Sequence, residues 1–172
     1  NLTIKYGKKS EFNLNTFEPL EYPKLPKVDM GKPTFTFKGT DFNSFIKKTA
    51  YAASVSETRP ILTGVSLTVV EDCISFVSTD SHRLGQIKTS SKRENSSDLK
   101  LVIPAKSLDK LLKTFDLQLD VDVYCESVNQ VVFRNGALFF YSRLLEGNYP
   151  DTSRLIPTEF ESEMKINRKE LL

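Results

Sequence analysis

Two stretches decide the fold. The first is Thr34-Phe35-Thr36-Phe37-Lys38-Gly39-Thr40-Asp41-Phe42-Asn43-Ser44-Phe45-Ile46-Lys47-Lys48-Thr49, and the second is Leu99-Lys100-Leu101-Val102-Ile103-Pro104-Ala105-Lys106-Ser107-Leu108-Asp109-Lys110-Leu111-Leu112-Lys113-Thr114-Phe115. In the first, Phe35 and Phe37 alternate with polar neighbours, as in a half-buried strand. Gly39-Thr40-Asp41 then offers helix-start chemistry, with Thr40 or Asp41 as N-cap. Phe42, Phe45, Ile46, Thr49 and Ala53 follow at helical spacing and mark a buried face. The second stretch repeats the order. Leu99 to Ile103 reads as a strand, Pro104 suits the first turn of a helix, and Ala105, Leu108, Leu111, Leu112 and Phe115 form the apolar face.

Three strands are expected after each helix. The first set is Ile61 to Val70, Cys73 to Thr79 and Arg83 to Thr89, with a tight turn at Glu71-Asp72. The second set is Leu119 to Cys125, Val128 to Phe133 and Ala137 to Leu144, with turns at Ser127-Val128-Asn129 and at Asn135-Gly136, the latter a strong hairpin signal. The polar run Ser90 to Asp98 has no apolar period and reads as a loop. Residues 34–144 therefore read as a duplicated β-α-β-β-β unit: an α+β domain with two helices packed on antiparallel sheets. The duplication rests on element order, since residue identity between the halves is weak.

Before this unit, Leu2-Thr3-Ile4 and Phe12-Asn13-Leu14 read as strand pieces. Pro19, Pro23, Pro26 and Pro33 then make Glu18 to Lys32 an extended surface linker. The start, Asn1-Leu2-Thr3-Ile4-Lys5, reads as the inside of a strand, as in a piece of a longer protein, and lacks the apolar core of a secretion signal. Of the 172 residues, 39% are hydrophobic and 27% charged, which fits a globular protein and argues against a disordered one. No apolar run reaches the roughly 20 residues needed to cross a bilayer, so a membrane role is not expected and the cytoplasm is the expected location. Cys73 and Cys125 sit in apolar stretches and read as two buried, reduced thiols rather than a disulfide. With two cysteines and one histidine, no zinc or His-rich metal site is expected, nor any cofactor.

Charge is concentrated on the helices. On a helical wheel, Ser44, Lys47, Lys48 and Tyr51 fall opposite the apolar face of the first helix. Lys106, Lys110 and Lys113 fall opposite that of the second. A solvated helix face usually mixes signs, because Glu and Lys four residues apart support one another. A one-sign stripe fits either a lysine-rich soluble surface or a shallow phosphate-binding surface. Lysine suits contact with a nucleic-acid backbone regardless of sequence. Only Tyr51 is available to stack on a base, which favours duplex over single strand.

The most reactive-looking stretch is Ser78-Thr79-Asp80-Ser81-His82-Arg83-Leu84. On a straight strand Ser78, Asp80 and His82 would share a face, which raises a hydrolase reading. Side chains of one strand rarely converge as a triad requires, and there is no Gly-x-Ser-x-Gly elbow. The alternative from the residues alone is structural: Asp80 and Ser81 form a turn, and His82 bonds to backbone.

Three segments, taken in order, resemble the beta subunit of bacterial DNA polymerase III, the replicative sliding clamp. They are Thr58-Arg59-Pro60-Ile61-Leu62-Thr63-Gly64, then Thr79-Asp80-Ser81-His82-Arg83-Leu84, then Ser142-Arg143-Leu144-Leu145-Glu146-Gly147-Asn148-Tyr149-Pro150-Asp151-Thr152 with Arg154-Leu155-Ile156-Pro157. Lys9 to Leu14 and Glu21-Tyr22-Pro23 are similar to the end of the family's first domain, and Glu163 to Leu172 to the start of its third. The resemblance implies a DNA clamp fold with residues 1–30 as remnant and linker, 31–158 as the middle domain and 159–172 as the start of the third. It implies a homodimeric ring around double-stranded DNA, with Lys47, Lys48, Lys106, Lys110 and Lys113 facing the duplex, and no catalysis. It also implies a pocket for short Gln/Leu/Phe peptides of the replicative polymerase, clamp loader and repair proteins, formed by Leu62, Thr79, Ser81, His82, Arg83, Leu84, Pro150, Arg154 and Leu155. Leu62, Leu84, Pro150 and Leu155 would be apolar walls, and Thr79, His82 and Arg154 would orient the peptide. A peptide-binding adaptor with no DNA role stays open beside this reading.

Overall fold

The computed structural model describes residues 1–21, 31–90, 98–127 and 129–171. The proline-rich part of the expected linker, Tyr22 and Pro23 among it, lies outside the described residues, as do residues 91–97 of the polar loop and Val128 at the expected turn and strand start. The described chain begins with a hairpin of β1 (Leu2–Tyr6) and β2 (Ser10–Leu14). Pro19–Glu21 is a short 3-10 turn rather than extended chain, closed by the Glu21 N–H donating to the Glu18 carbonyl at 3.0 Å.

The doubled unit follows. Its first half is β3 (Phe35–Phe37), α1 (Gly39–Thr49), β4 (Gly64–Val70), β5 (Cys73–Thr79) and β6 (Leu84–Ser90). The second is β7 (Leu99–Pro104), α2 (Ala105–Thr114), β8 (Val121–Ser127), β9 (Gln130–Asn135) and β10 (Leu138–Arg143). A last short helix, α3, spans Arg168–Leu171. The halves exchange their first strands. β3 pairs antiparallel with β8, giving a sheet of order β10-β9-β8-β3. β7 pairs antiparallel with β4, giving β6-β5-β4-β7.

Both helices and the inner faces of both sheets close on one apolar core. Phe42 of α1 sits at its centre, with ring centroids 6.5 Å from Phe76 of one sheet and 5.7 Å from Phe133 of the other. Phe37 of β3 stacks on Phe42 at 5.8 Å and meets Phe76 edge-on at 5.9 Å. Each such aromatic pair adds on the order of 1 kcal/mol beyond burial.

Several expectations need correction. Helix α1 begins at Gly39, with Lys38 in the capping position and no side-chain cap, so neither Thr40 nor Asp41 caps it. Thr40 and Asp41 already lie inside the first helical turn, and Gly39 before them packs against the backbone of Leu117 and Leu119, where a Cβ would clash. Residues 61–63 are not strand. Pro60–Thr63 is a 3-10 turn, with proline at its start and the Thr63 hydroxyl donating to the Pro60 carbonyl at 2.7 Å. Both cysteines are reduced thiols, but Cys73 is exposed and Cys125 half-buried. Cys73 opens β5 directly after the Glu71-Asp72 turn and faces away from the core, which begins with Ile74.

Asn135 does more than mark a hairpin. It is the last paired residue of β9, opposite Leu138, with Gly136 and Ala137 as the turn. Its side chain is buried. Its Oδ1 accepts from the Asp116 N–H at 2.8 Å, and its Nδ2 lies within 3.1–3.2 Å of the carbonyls of Asp116, Leu119 and Asp120. One amide thus satisfies the loop that leads from α2 into β8. Asn135→Leu should cost about 1–3 kcal/mol, because it leaves these part-buried backbone groups without their side-chain partner. Chemical denaturation should show a lower midpoint at unchanged slope.

Candidate functional site

The β4–β5 ladder ends at the pair Ser66 and Val77. The N–H of Thr79 therefore has no strand partner on that side, and a buried N–H must find one. It donates to the Tyr149 hydroxyl at 3.0 Å. Tyr149 arrives on the segment after β10, which is fixed by the Leu145 N–H donating to the Val102 carbonyl at 2.8 Å. The Tyr149 ring packs with Leu62 and Val102 in a small second cluster flanked by Ile61 and Leu145. Burial pushes the Tyr149 phenol above its ordinary pKa, partly offset by the hydrogen bond from Thr79.

Beyond Thr79 the chain makes a tight turn. The Asp80 carboxylate accepts the N–H groups of His82 and Arg83, each at 3.0 Å, and its other oxygen accepts Arg83 Nε at 3.0 Å. The Thr79 hydroxyl donates to the Arg83 carbonyl at 2.8 Å and accepts the Ser81 N–H at 3.1 Å. Ser81 sits at φ 77°, the left-handed region forced by so short a reversal. The backbone hydrogen bonds from His82 and Arg83, and then the charge of Arg83, hold the Asp80 carboxyl below the usual aspartate pKa.

This turn is anchored to the end of α1. The Ser78 hydroxyl donates to the Thr49 carbonyl. Gly85 packs so closely that a Cβ would lie 2.9 Å from the Lys48 carbonyl oxygen and 3.1 Å from Thr49 Cα. The Arg83 guanidinium lies 5.9 Å from the centre of the Tyr51 ring. Ser78, Asp80 and His82 do not assemble as a triad: Ser78 is buried and bonded to Thr49, while Asp80 is committed to Arg83.

The structure brings Leu62 and the segment 79–84 together through Tyr149, with Pro150 beside it. Leu62 and Thr79 are buried, Leu84 is half-buried, and Ser81, His82, Arg83 and Pro150 are exposed. Arg154 and Leu155 lie on a 3-10 turn, Ser153–Leu155, and are exposed; Leu155 retains 58% of its surface. A cleft of about 570 Å³ opens where this segment crosses the outer face of the β6-β5-β4-β7 sheet. Of the nine residues singled out in the sequence, Pro150 alone lines it. Tyr149 was missed; its signal was a lone aromatic ring in the polar run Glu146-Gly147-Asn148-Tyr149-Pro150. Among the described residues no cluster of His, Cys, Asp and Glu could hold a metal, and no helix is long and apolar enough to cross a membrane.

On the helices, Lys47 and Lys48 of α1 and Lys106, Lys110 and Lys113 of α2 are all exposed, and no ion pair among the described residues includes any of them.

The fold and this turn define a two-sheet α+β domain of the doubled, strand-exchanged type. Residues 36–151 match the sequence profile of the DNA polymerase III beta subunit, central domain. The chain belongs to that family. It is 40% identical over 99% of its length to the protein named beta sliding clamp of Bacillus subtilis, covering 45% of that protein. It superposes with a TM-score of 0.80 on the crystal structure of the Bacillus subtilis DNA polymerase sliding clamp, at 40% identity over 91% of this chain and 41% of that one. For the beta subunit from DNA polymerase of Streptococcus pyogenes the TM-score is 0.78, at 41% identity over 92% of this chain and 42% of the other. The chain thus spans less than half the length of the relatives it matches, and its architecture is the α+β clamp fold.

The Asp80 turn yields a pH expectation. A carboxyl whose folded pKa is depressed contributes stability above its unfolded pKa and loses it as pH falls through the folded value. The turn should therefore persist through the ordinary aspartate range and loosen only in more acidic solution. NMR titration of Asp80 should give a midpoint below that of an unstructured aspartate. In Asp80→Ala the His82 and Arg83 amides should exchange faster at neutral pH.

Proposed function

We propose that the protein is a DNA polymerase processivity factor. In this reading it is a sliding clamp, a homodimeric ring that encircles double-stranded DNA and tethers the polymerase and other partners. Residues 1–30 are then the end of a first clamp domain and its linker, 31–158 the middle domain and 159–172 the start of a third. The observation that carries the reading is the five-lysine surface on α1 and α2, exposed and without carboxylate partners among the described residues, in a chain whose relatives bear the name beta sliding clamp. Flexible point charges hold phosphates weakly and without sequence preference, which lets a closed ring slide.

In the same reading the surface formed by Leu62, Thr79, Ser81, His82, Arg83, Leu84, Pro150, Arg154 and Leu155 receives short Gln/Leu/Phe peptides of the replicative polymerase, clamp loader and repair proteins. Leu62 is the inner wall, packed with Tyr149. Leu155 and Pro150 are outer apolar contacts, and His82 and Arg154 are exposed. The role is non-catalytic, needs no cofactor and belongs in the cytoplasm. An adaptor with no DNA role leaves the lysine surface unexplained.

Two measurements on the full three-domain protein test this. Changing Lys106, Lys110 and Lys113 together to Glu should reduce retention on nicked circular duplex at least tenfold at moderate salt, because three phosphate contacts become repulsions. Unchanged retention would favour the adaptor. Titration with a fluorescent Gln-Leu-x-Leu-Phe peptide should saturate, and Leu155→Lys should weaken it about tenfold. Equal binding by the variant would count against the pocket.

A further inference from the structure

The cleft beneath Tyr149 and Pro150 has a floor that the lysine surface and the apolar contacts do not use. Strand register sets that floor in rows across the outer face of the β6-β5-β4-β7 sheet. Gln86, Val77, Ser66 and Val102 make one row. The next, one pleat farther from Thr79, is Lys88, Ser75, Thr68 and Lys100: Ser75 pairs with Lys88, Thr68 with Ser75, and Thr68 with Lys100. All four line the cleft. Neighbouring strands lie roughly 4.8 Å apart, so the two lysine backbones stand about 14 Å apart with two hydroxyls between them. Both lysine side chains are long enough to lean inward over those hydroxyls.

The charge of this row is only partly answered. Asp151 also lines the cleft, but its carboxylate is occupied by the Ser153 N–H at 3.0 Å and the Ser153 hydroxyl at 2.7 Å, and Arg154 stands at 3.9 Å. Lys100 Nζ donates a long hydrogen bond to the Tyr149 carbonyl, at 3.5 Å, and its charge acts on Asp151 without an ion pair among the described residues. No ion pair among the described residues includes Lys88. Two ammonium groups therefore face one engaged carboxylate across a hydroxyl-lined trough.

Resting on the peptide-binding reading above, we infer that the Lys88-Ser75-Thr68-Lys100 row is a subsite for carboxylates of the partner peptide, next to its apolar anchors. The trough is lined at one end by Tyr149 and Pro150, so an extended peptide that rests on Pro150 runs on over it. Glu or Asp side chains there meet two cations and two hydroxyl donors, whereas a basic flank is repelled. The apolar contacts set where a partner docks, and this row ranks partners by the charge of their flanks.

The test is a titration of the full three-domain protein with three fluorescent peptides: the Gln-Leu-x-Leu-Phe core, the core with two Glu residues added at either end, and the same with Gln in place of Glu. The expected result is that one acidic version binds roughly three- to tenfold tighter than its Gln counterpart at low salt. That advantage should shrink at high salt and vanish in Lys88→Gln/Lys100→Gln, while the core peptide binds the variant as it binds the unmodified protein. Core binding with no acidic advantage, or an acidic advantage that survives in the variant, overturns the subsite and leaves the pocket standing. No binding of the core peptide overturns both. Equal binding of acidic and neutral peptides, with a thymidine decamer bound in a way that needs both lysines, assigns the row to nucleic acid and overturns the inference.

Discussion

The exchange of first strands between the two halves is the constraint on which the rest of the structure depends. β3 belongs by sequence to the first half and by hydrogen bonding to the sheet of the second; β7 does the reverse. Neither half can complete a four-stranded sheet alone, so the doubled unit is one folding problem with one core. The aromatic ring of Phe42 sits between Phe76 and Phe133, one from each sheet. It joins by packing what the exchanged strands join by hydrogen bonds. The two helices that carry the exposed lysines are also in contact within this one core.

The candidate site follows from where the sheet stops. β4 and β5 part company after Ser66 and Val77, which leaves the Thr79 N–H to be satisfied from outside the ladder. Tyr149 supplies the acceptor, and in doing so it draws the segment after β10 across the sheet's outer face. The turn from Asp80 to Arg83 is then built almost wholly from local hydrogen bonds. Its position relative to α1 is set by Ser78, Gly85 and the Arg83–Tyr51 contact. Of the groups that looked catalytic, Ser78 and Asp80 hold this turn in place.

Much of this was legible from residue order. The two helices and most strand centres follow from apolar period alone, because Phe42, Ile46, Leu108 and Leu111 had to share one core. The exchange of β3 and β7 was not legible, since strand pairing is a long-range choice that local pattern does not encode. The 3-10 turn at Pro60–Thr63 was hidden because Ile61 and Leu62 are as apolar as the strand that follows; only Pro60 hinted at it. Asn135 looked like an ordinary turn residue, and its use as a buried staple depends on a loop distant in sequence. The segments 58–64, 79–84 and 142–157 were recognisable by resemblance, but the joining role of Tyr149 was not, because its partner is a backbone N–H that no side-chain pattern reveals.

We propose that Leu62, the turn at 79–84 and the segment 149–155 act as one peptide-binding face. Hydrogen exchange of the full three-domain protein, with and without a saturating Gln-Leu-x-Leu-Phe peptide, tests it most directly. Exchange should slow in residues 59–64, 79–85 and 147–156, with the two lysine-bearing helices unchanged. Protection confined to other surfaces, or none in these three segments at saturation, would contradict it.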